Sequence, residues 1–428
     1  SNPVIWRAGK QSPNIKVEWT DTTTNLSTVD IYLSTTGIGG LPGTVLNTAF
    51  DSTVNGLNSS ANTPAKIITV PSAIAPSLAV VRVRDSDLAF NNYVSGDSNL
   101  FSIYGNITFV SPPPAGGVSW LVEDTNRSIS WTSAGPMGIL NIYVDYGLGA
   151  GWQLLASPDS GAVSSWPWSP IPNQVSSNVR IKLTDADQEP NTSFISGAFS
   201  IMPWFTVTAP AVLNQRVVAN SQLLPPSFAP FTITWDPHGA NPYVRIYYSL
   251  NAFASAGTLI DEGASPEGPG AANDGVVNND GSFNWNVPDL SGLSTGPVNA
   301  MVRVAYSAQP VNAETSYDDS LSFKIVAGFA TVSPVSTNRW KVTSNQNIQW
   351  ISSSANVPTV TVEYSKDDGA AYVTPVIDST VNNNVGAAGA TRTLAWNNIA
   401  TTAITFPSFL RVKVTATNDS SALAVSPS

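Results

Sequence analysis

The chain has 428 residues, room for three or four domains of about 100–150 residues each. Only 11% of them are charged and the formal net charge is −10, which excludes the clustered basic face that nucleic-acid binding needs and leaves a surface built from Ser, Thr, Asn and Gly. There is no Cys, so disulfides, thiolate metal sites and Cys nucleophiles are excluded, and no run of about 18 apolar residues is present to form a membrane span.

In chain order, one pattern recurs four times. Repeat one runs through "IKVEW" ending at Trp19, "VDIYLS" with Ile31 and Tyr32, "IITVP" near Ile68, "VRVR" from Val81 and "FSI" at Phe101. Repeat two has "ITFVSP" at Ile107, "SISW" at Trp131, "LNIYVD" with Ile142 and Tyr143, "WPWSPIP" near Trp168, "VRIK" from Val179 and "FSI" at Phe199. Repeat three has "FTVTAP" at Phe205, "FTITW" at Trp235, "VRIYYS" with Ile246, "FNWNVP" at Trp285, "VRVA" from Val302 and "FKI" at Phe323. Repeat four has "FATVSP" at Phe329, "NIQW" at Trp350, "VTVEYS" with Val362, "LAWNNIA" at Trp396, "LRVK" from Leu410 and "LAV" at Leu423. The spacing from the Trp to the Ile or Val is 12, 11, 11 and 12 residues, and the closing strands lie 98, 124 and 100 residues apart. One repeat is therefore one domain rather than one turn of a solenoid, whose periods fall between about 20 and 50.

The alternation sets the secondary structure. Val179 and Ile181 face one way and Arg180 and Lys182 the other, and Phe231, Ile233 and Trp235 share a face, which is the period of half-buried strands. Gly and Pro total 62 (30 and 32) and cluster with Asn and Asp between the strands. About seven short strands per ~100 residues predict four tandem immunoglobulin-like or fibronectin III-like β-sandwiches in an elongated rod. The domains are expected at 1–104, 105–202, 203–326 and 327–428. The Trp and the Ile-Tyr pair would pack on two facing strands.

On these residues the chain resembles the tandem Ig-like repeats of secreted microbial surface proteins. It is similar to the Ser/Thr-rich surface-protein domain of yeast cell-wall synthesis proteins. The resemblance covers all four repeats. It implies a structural arm, surface-layer subunit, adhesin or spacer, and it brings no catalytic residue with it.

Repeats two to four open with an apolar strand ending in Pro, and repeat one does not. That points to a fragment of a longer array, to processing, or to completion of repeat one by strand addition from another chain. Repeat four is expected to close at Leu423–Val425. Asn251–Gly281 of repeat three is an insertion, read as an inter-subunit contact or as a tolerated surface loop. Links of three residues between repeats, Pro203 among them, predict a stiff array.

The search for chemistry is short. The single His, His238, lies in the turn "WDPHGANP" with no G-x-S-x-G elbow, so a solvated turn residue is expected rather than a catalytic one. Glu18 and Glu363 alternate with core residues and face water, leaving no carboxylate pair for glycoside hydrolysis. Calcium is the cofactor candidate: Asp85 with Asp87, and Asp185 with Asp187 and Glu189, follow the basic strand in repeats one and two. Repeats three and four lack the cluster, and the alternative is a plain acidic turn. Sequons stand at Asn25, Asn58, Asn106, Asn126, Asn191 and Asn418. Trp152, Trp166, Trp168 and Trp204 are candidates for stacking on sugars. Trp166 and Trp168 share one face of an extended segment, and the alternative for them is core packing.

The expected function is that of an extracellular structural protein at the cell surface, a non-enzyme assembling with itself through end or edge-strand contacts into a layer, filament or envelope array. The alternative is an adhesin, or the carbohydrate-binding or spacer arm of a larger secreted protein, with cell-wall glycans as partners.

Overall fold

The computed structural model describes residues 6–20, 28–40, 44–51, 65–74, 77–86, 95–135, 137–158, 163–189, 191–225, 229–260, 275–372, 377–397, 399 and 409–427. The chain divides into two compact units, Ser1–Met202 and Pro203–Ser428. Each unit holds two β-sandwiches.

Repeat two shows the plan. The opening strand Asn106–Ser111, the Trp strand Ser128–Ala134 and the short strand Ser165–Pro167 form one antiparallel sheet. The other sheet runs in the order Ser119–Leu121, Phe199–Met202, Ser176–Asp185, Leu140–Asp145, Gln153–Ala156, and Ser193–Ile195 also pairs with Ser176–Asp185. Trp131 and Ile142 point inward from opposite sheets at 2% and 0% exposure, because every second residue of each strand faces the other sheet. Trp235 with Ile246 and Trp350 with Val362 do the same in repeats three and four. In repeat one Trp19 only partly enters the core, and its sheet has two described strands, Gln11–Glu18 and Ala65–Thr69, where the others have three.

Three local devices recur. A residue in the left-handed region stands two positions past a short strand in repeats one to three and just after residues 339–342 in repeat four: Gly9 (φ 68°), Glu123 (65°), Asn220 (45°) and Thr343 (61°). Each donates its N–H across the sandwich, to the carbonyls of Val70, Ile171, Val287 and Ile399 at 2.8–2.9 Å. This bond holds a conformation that is costly for a non-glycine residue, most of all for β-branched Thr343. Second, a serine clamps the basic strand. The Oγ atoms of Ser98, Ser196, Ser320 and Ser426 accept the N–H groups of Val81, Ile181, Val302 and Val412 at 2.9–3.0 Å. The N–H groups of the same serines return bonds to the same residues' carbonyls at 2.8–2.9 Å. Third, the core indoles of Trp235 and Trp350 donate to Asn279 and Asn383 at 2.8 and 2.9 Å.

In the first three repeats the closing strand starts three residues after the clamping serine, at Phe101, Phe199 and Phe323. It pairs antiparallel to the basic strand and parallel to the short strand before the left-handed residue. Repeat four differs from expectation here. Leu423–Val425 pairs with Lys413–Thr415, the register that Ser193–Ile195 holds against Lys182–Thr184. "LAV" is thus the strand before the clamping serine, and not the equivalent of "FSI". Both triplets alternate identically, so the pattern could not separate them.

Residues 261–274 of the insertion lie outside the described residues; its flanks form the short strands Thr258–Leu259 and Val276–Asn278, each on an edge of the Ile-Tyr strand.

Asn383 is fully buried, receives the Trp350 indole, donates to the Val357 carbonyl at 3.0 Å and offers its own carbonyl to Arg392 at 2.9 Å. Replacing it with Ala orphans the indole N–H. Asn383→Ala is expected to destabilise repeat four by about 1–3 kcal/mol, measured as a lower urea midpoint with an unchanged m-value.

Candidate functional site

The surface features that could meet a partner lie on the outer face of the larger sheet and at the two junctions inside the units. On the outer face, one cation recurs at a fixed register on the basic strand: Arg82, Lys182, Arg303 and Lys413. It stands opposite Tyr32, Tyr143, Tyr247 and Glu363, the residues after the inward Ile or Val. The Tyr of the Ile-Tyr pair therefore packs outside the sandwich, while the Ile packs within it. Lys182 Nζ lies 4.4 Å from the Tyr143 ring and 5.2 Å from that of Trp152. Arg303 lies 4.1 Å from the Phe253 ring and 3.7 Å from Tyr317, and Lys413 lies 4.0 Å from Tyr372. Carboxylates complete the set: Arg82–Asp97 at 2.6 Å, Arg303–Asp319 at 2.7 Å and Lys413–Glu363 at 2.6 Å. The bidentate bond from Arg82 holds the Asp97 carboxyl below its ordinary range against a smaller opposing effect of burial. Tyr247 is buried under the loop that carries Glu314, to which it donates at 2.6 Å, and burial followed by that bond pushes its phenol up.

At the junction of repeats one and two, a single residue, Gly105, separates Phe101–Tyr104 from Asn106–Ser111. Met137 packs so closely on Gly105 that an added Cβ would meet its Cε at 2.8 Å. Gly135 donates to the Ser72 carbonyl at 2.6 Å in the left-handed region (φ 79°), where a side chain would run into the Ile74 carbonyl. Arg7 donates to the Asn191 carbonyl at 2.8 Å and covers the Phe194 ring at 4.7 Å, and burial lowers its pKa.

The acidic turn proposed for calcium sits at this junction. Asp185 is fully buried; its Oδ1 accepts the Asp187 N–H and its Oδ2 the Gln188 side-chain amide, both at 3.0 Å. Gln188 Oε1 in turn accepts from Thr192 at 3.0 Å and from the Gly105 N–H at 3.4 Å. Asp185 thus shapes its own loop and, through Gln188, reaches the link between repeats. Glu189 is in the same turn. Asp85 ends the basic strand of repeat one, and Asp87 lies outside the described residues. Among the described residues no group of three or more His, Asp or Glu side chains is gathered for a metal.

At the junction of repeats three and four, Ala327 and Gly328 separate Phe323–Val326 from Phe329–Ser333. Asp289 of repeat three accepts the Ser354 hydroxyl at 2.6 Å and the Ala355 N–H at 2.8 Å. Asn220 donates to the Ser353 carbonyl at 3.1 Å, and Arg216 pairs with Asp419. Burial pushes the Asp419 carboxyl up, but the bonds from Ser421 and Arg216 outweigh it and leave its pKa below the ordinary value. A cavity of about 450 Å³ lies here, lined by Val217, Leu224, Phe231, Phe329, Ala422 and Leu423 among others. Gln215, Arg216, Ser221, Thr232 and Ser421 line it as well, so its wall is mixed polar and apolar, and it gathers no acid–base pair.

The remaining sequence candidates scatter. Trp166 and Trp168 do share a face, but it is the inner one: Trp168 is 4% exposed against Trp120 and Tyr146, and Trp166 packs on the same core. They form no open platform for a sugar. Trp152 is half-buried beside Lys182, and Trp204 stacks on His238 at 3.6 Å with the rings 6° from parallel. Of the sequons, Asn126 and Asn191 are exposed and Asn106 is buried. Asn418 spends its amide, the atom that a glycan would occupy, on the Leu293 carbonyl at 2.9 Å. Asn25 and Asn58 lie outside the described residues. Sequence reasoning missed the junction residues Arg7, Gln188, Asp289 and Asn220, since nothing local marks a residue that reaches into the next domain.

Two outcomes follow. Asp419 has a depressed pKa in the fold, so its contribution is present above the unfolded value near 3.9 and is lost as pH falls through the folded one. Repeat four should lose stability below about pH 4, and Asp419→Asn should flatten that part of the pH profile in thermal melts. Asp185→Ala should lower the unfolding midpoint of the first unit by the same amount in calcium and in chelator, because its carboxylate acts through loop hydrogen bonds.

No family model matches the chain, and no curated protein matches it. Among solved structures it is similar to a tetra-tandem repeat from the extending region of a large adhesion protein, at 14% identity over 96% of this chain and 94% of that one, with a TM-score of 0.28. It is similar also to three N-terminal domains of the highly immunogenic outer capsid protein of bacteriophage RB49, at 12% identity over 76% of this chain and 96% of that one, with a TM-score of 0.25. The four N-terminal Ig domains of Dscam1 match at 8% identity over 99% of this chain and 95% of that one, with a TM-score of 0.20.

Proposed function

We propose that the chain is an extracellular structural arm, a series of Ig-like modules that spaces or assembles at a cell surface, forming a layer, filament or envelope array with further copies of itself. The observation that carries this reading is the construction of the two junctions. Consecutive sandwiches are joined by one or two residues and pinned by buried or half-buried hydrogen bonds, Gly135 to Ser72 in one and Asp289 to Ser354 and Ala355 in the other. Such joints resist bending and suit a spacer under load better than a tethered binding domain. The likeness of the repeat motif to surface-protein domains of yeast cell-wall synthesis proteins supports the same reading, as does a surface poor in charge. Calcium would act on assembly through carboxylates outside the core, with Asp85 and Asp187 the residues to test.

The alternative is an adhesin. Its observation is the outer face of repeat two, where Tyr143, Trp152 and Lys182 lie beside Leu154 and Ile195, which are 58% and 51% exposed.

Electron microscopy of the purified chain, with calcium and with chelator, tests the assembly reading. Ordered sheets or filaments are expected. Strictly monomeric particles at high concentration in both conditions would contradict it, and saturable glycan binding abolished by Trp152→Ala would favour the adhesin.

A further inference from the structure

On the outer face of the larger sheet of repeat two, one row of side chains crosses four strands. Leu154 stands opposite Tyr143, Tyr143 opposite Lys182 and Lys182 opposite Ile195. Neighbouring strands lie about 4.8 Å apart, so the row is about 14 Å long. The other repeats put a carboxylate into this row. Asp97 and Asp319 stand where Ile195 does, and each accepts two bonds from its arginine, from Arg82 at 2.6 and 2.8 Å and from Arg303 at 2.7 and 2.8 Å. Repeat four has Val425 there, and its acid comes from the position of Tyr143, where Glu363 holds Lys413 at 2.6 Å. Repeat two has Leu, Tyr, Lys and Ile in the row, and no acid. Among the described residues Lys182 meets no carboxylate; its contacts are the rings of Tyr143 and Trp152.

The same face is roofed in repeat three and open in repeat two. In repeat three Phe253 and Tyr317 flank Arg303, and Tyr247 is 1% exposed beneath Glu314. The Gly257 N–H donates to Asn312 Oδ1 at 3.1 Å, which ties the loop of Phe253 to the loop of Glu314. In repeat two Tyr143, Trp152 and Lys182 are half-buried, and Leu154 and Ile195 at the two ends of the row are exposed. Arg180 is exposed on the same face, two residues from Lys182 and about 7 Å away along the strand. It forms no ion pair among the described residues, and its cross-strand neighbour Asp145 accepts the Gly147 N–H at 2.9 Å instead. In a chain of net charge −10, this face thus carries two cations with no acid bonded to either.

We propose that the row is a docking site for an acidic segment of a partner protein, an extended stretch with one Glu or Asp between two apolar residues, each two positions away. The partner's carboxylate takes the place that Asp97 and Asp319 fill in their own repeats. It binds the Lys182 ammonium, which the Tyr143 and Trp152 rings already hold in position. Side chains two apart in an extended segment point the same way and lie about 7 Å apart. One apolar residue therefore reaches Leu154 and Tyr143 while the other reaches Ile195. An acidic sugar fits this row less well, because its hydroxyl groups would lose water against Leu154 and Ile195 without gaining a polar partner. The inference shares its face with the adhesin reading and rests on it. It goes further in making the partner a protein and the carboxylate the group recognised.

The test immobilises the whole chain and passes over it a dextran carrying many copies of the peptide GLTETLG, so that multivalency brings a weak contact into range. Conjugates of GLTQTLG, which lacks the acid, and of GSTETSG, which lacks the apolar pair, are the controls. Saturable binding of the Glu conjugate is expected, with a loss of about tenfold or more for either control. Ile195→Asp gives the row the acid of repeats one and three. It should abolish binding without lowering the melting midpoint of the first unit. Lys182→Glu should reject the Glu conjugate and accept GLTKTLG, an exchange that a misfolded variant would not produce. Equal binding of the Glu and Gln conjugates, or binding that survives Ile195→Asp, overturns the proposal. Failure of the Glu conjugate to bind overturns it too, and a glucuronate oligosaccharide on the same dextran then shows what else fails. If the sugar binds and Trp152→Ala removes it, the adhesin reading stands without this inference. If the sugar does not bind and Ile195→Asp disperses assemblies of the chain, the occupant of the row is a second copy.

Discussion

The structure depends on closing each sheet at its edge. A β-sandwich of about 100 residues has a small core and exposes a row of N–H and carbonyl groups wherever a strand lacks a neighbour. The Phe-x-Ile strand meets both needs at once. It pairs on two sides, and it brings two apolar side chains under the indole or aliphatic residue of the short strand. In repeats one to three the same segment then passes directly into the opening strand of the next repeat. Closure of one sandwich and the start of the next are thus one continuous stretch of backbone, which is why the links are so short.

That continuity explains where the specialised residues are. A link of one or two residues brings the loops of neighbouring sandwiches within hydrogen-bond reach inside each unit. Polar side chains at those loops then serve the joint: Gln188 at Gly105, Arg7 at Asn191, Asp289 at Ser354. The acidic turn of repeat two belongs to this group. Its sequence looks like a calcium loop because both uses need short carboxylate side chains near backbone N–H groups. In Asp185 the acceptors are taken up by Asp187 and Gln188.

The fold was legible because period-two alternation and a recurring Trp are consequences of packing two sheets, and they survive the divergence of the repeats. What alternation cannot give is the neighbour of a strand or the direction of a face. Leu423–Val425 reads like Phe199–Ile201, and only the clamping serine separates them. Trp166 and Trp168 share a face by geometry, but whether that face is inner or outer depends on the sheet opposite. The Tyr after each core Ile is large and apolar enough to read as core. Its place outside is set by the cation across the strand, visible in the sequence only once Arg82, Lys182, Arg303 and Lys413 are aligned by register. The aligned serines Ser98, Ser196, Ser320 and Ser426 were available in the sequence as well. A lone Ser in a Ser-rich chain carries no signal until its bond to the basic strand is seen.

The central claim is that the closing strand seals the sheet edge in repeats one to three by pairing with the short strand. Native-state hydrogen exchange at three equivalent amides measures this directly. Ala8, Val122 and Ala219 donate to the closing-strand carbonyls of Tyr104, Met202 and Val326 at 2.9–3.0 Å. The account predicts that these three amides exchange as slowly as those of the core strands. Exchange at the rate of exposed loop amides would show that the short strand is not held by the closing strand, and would contradict it.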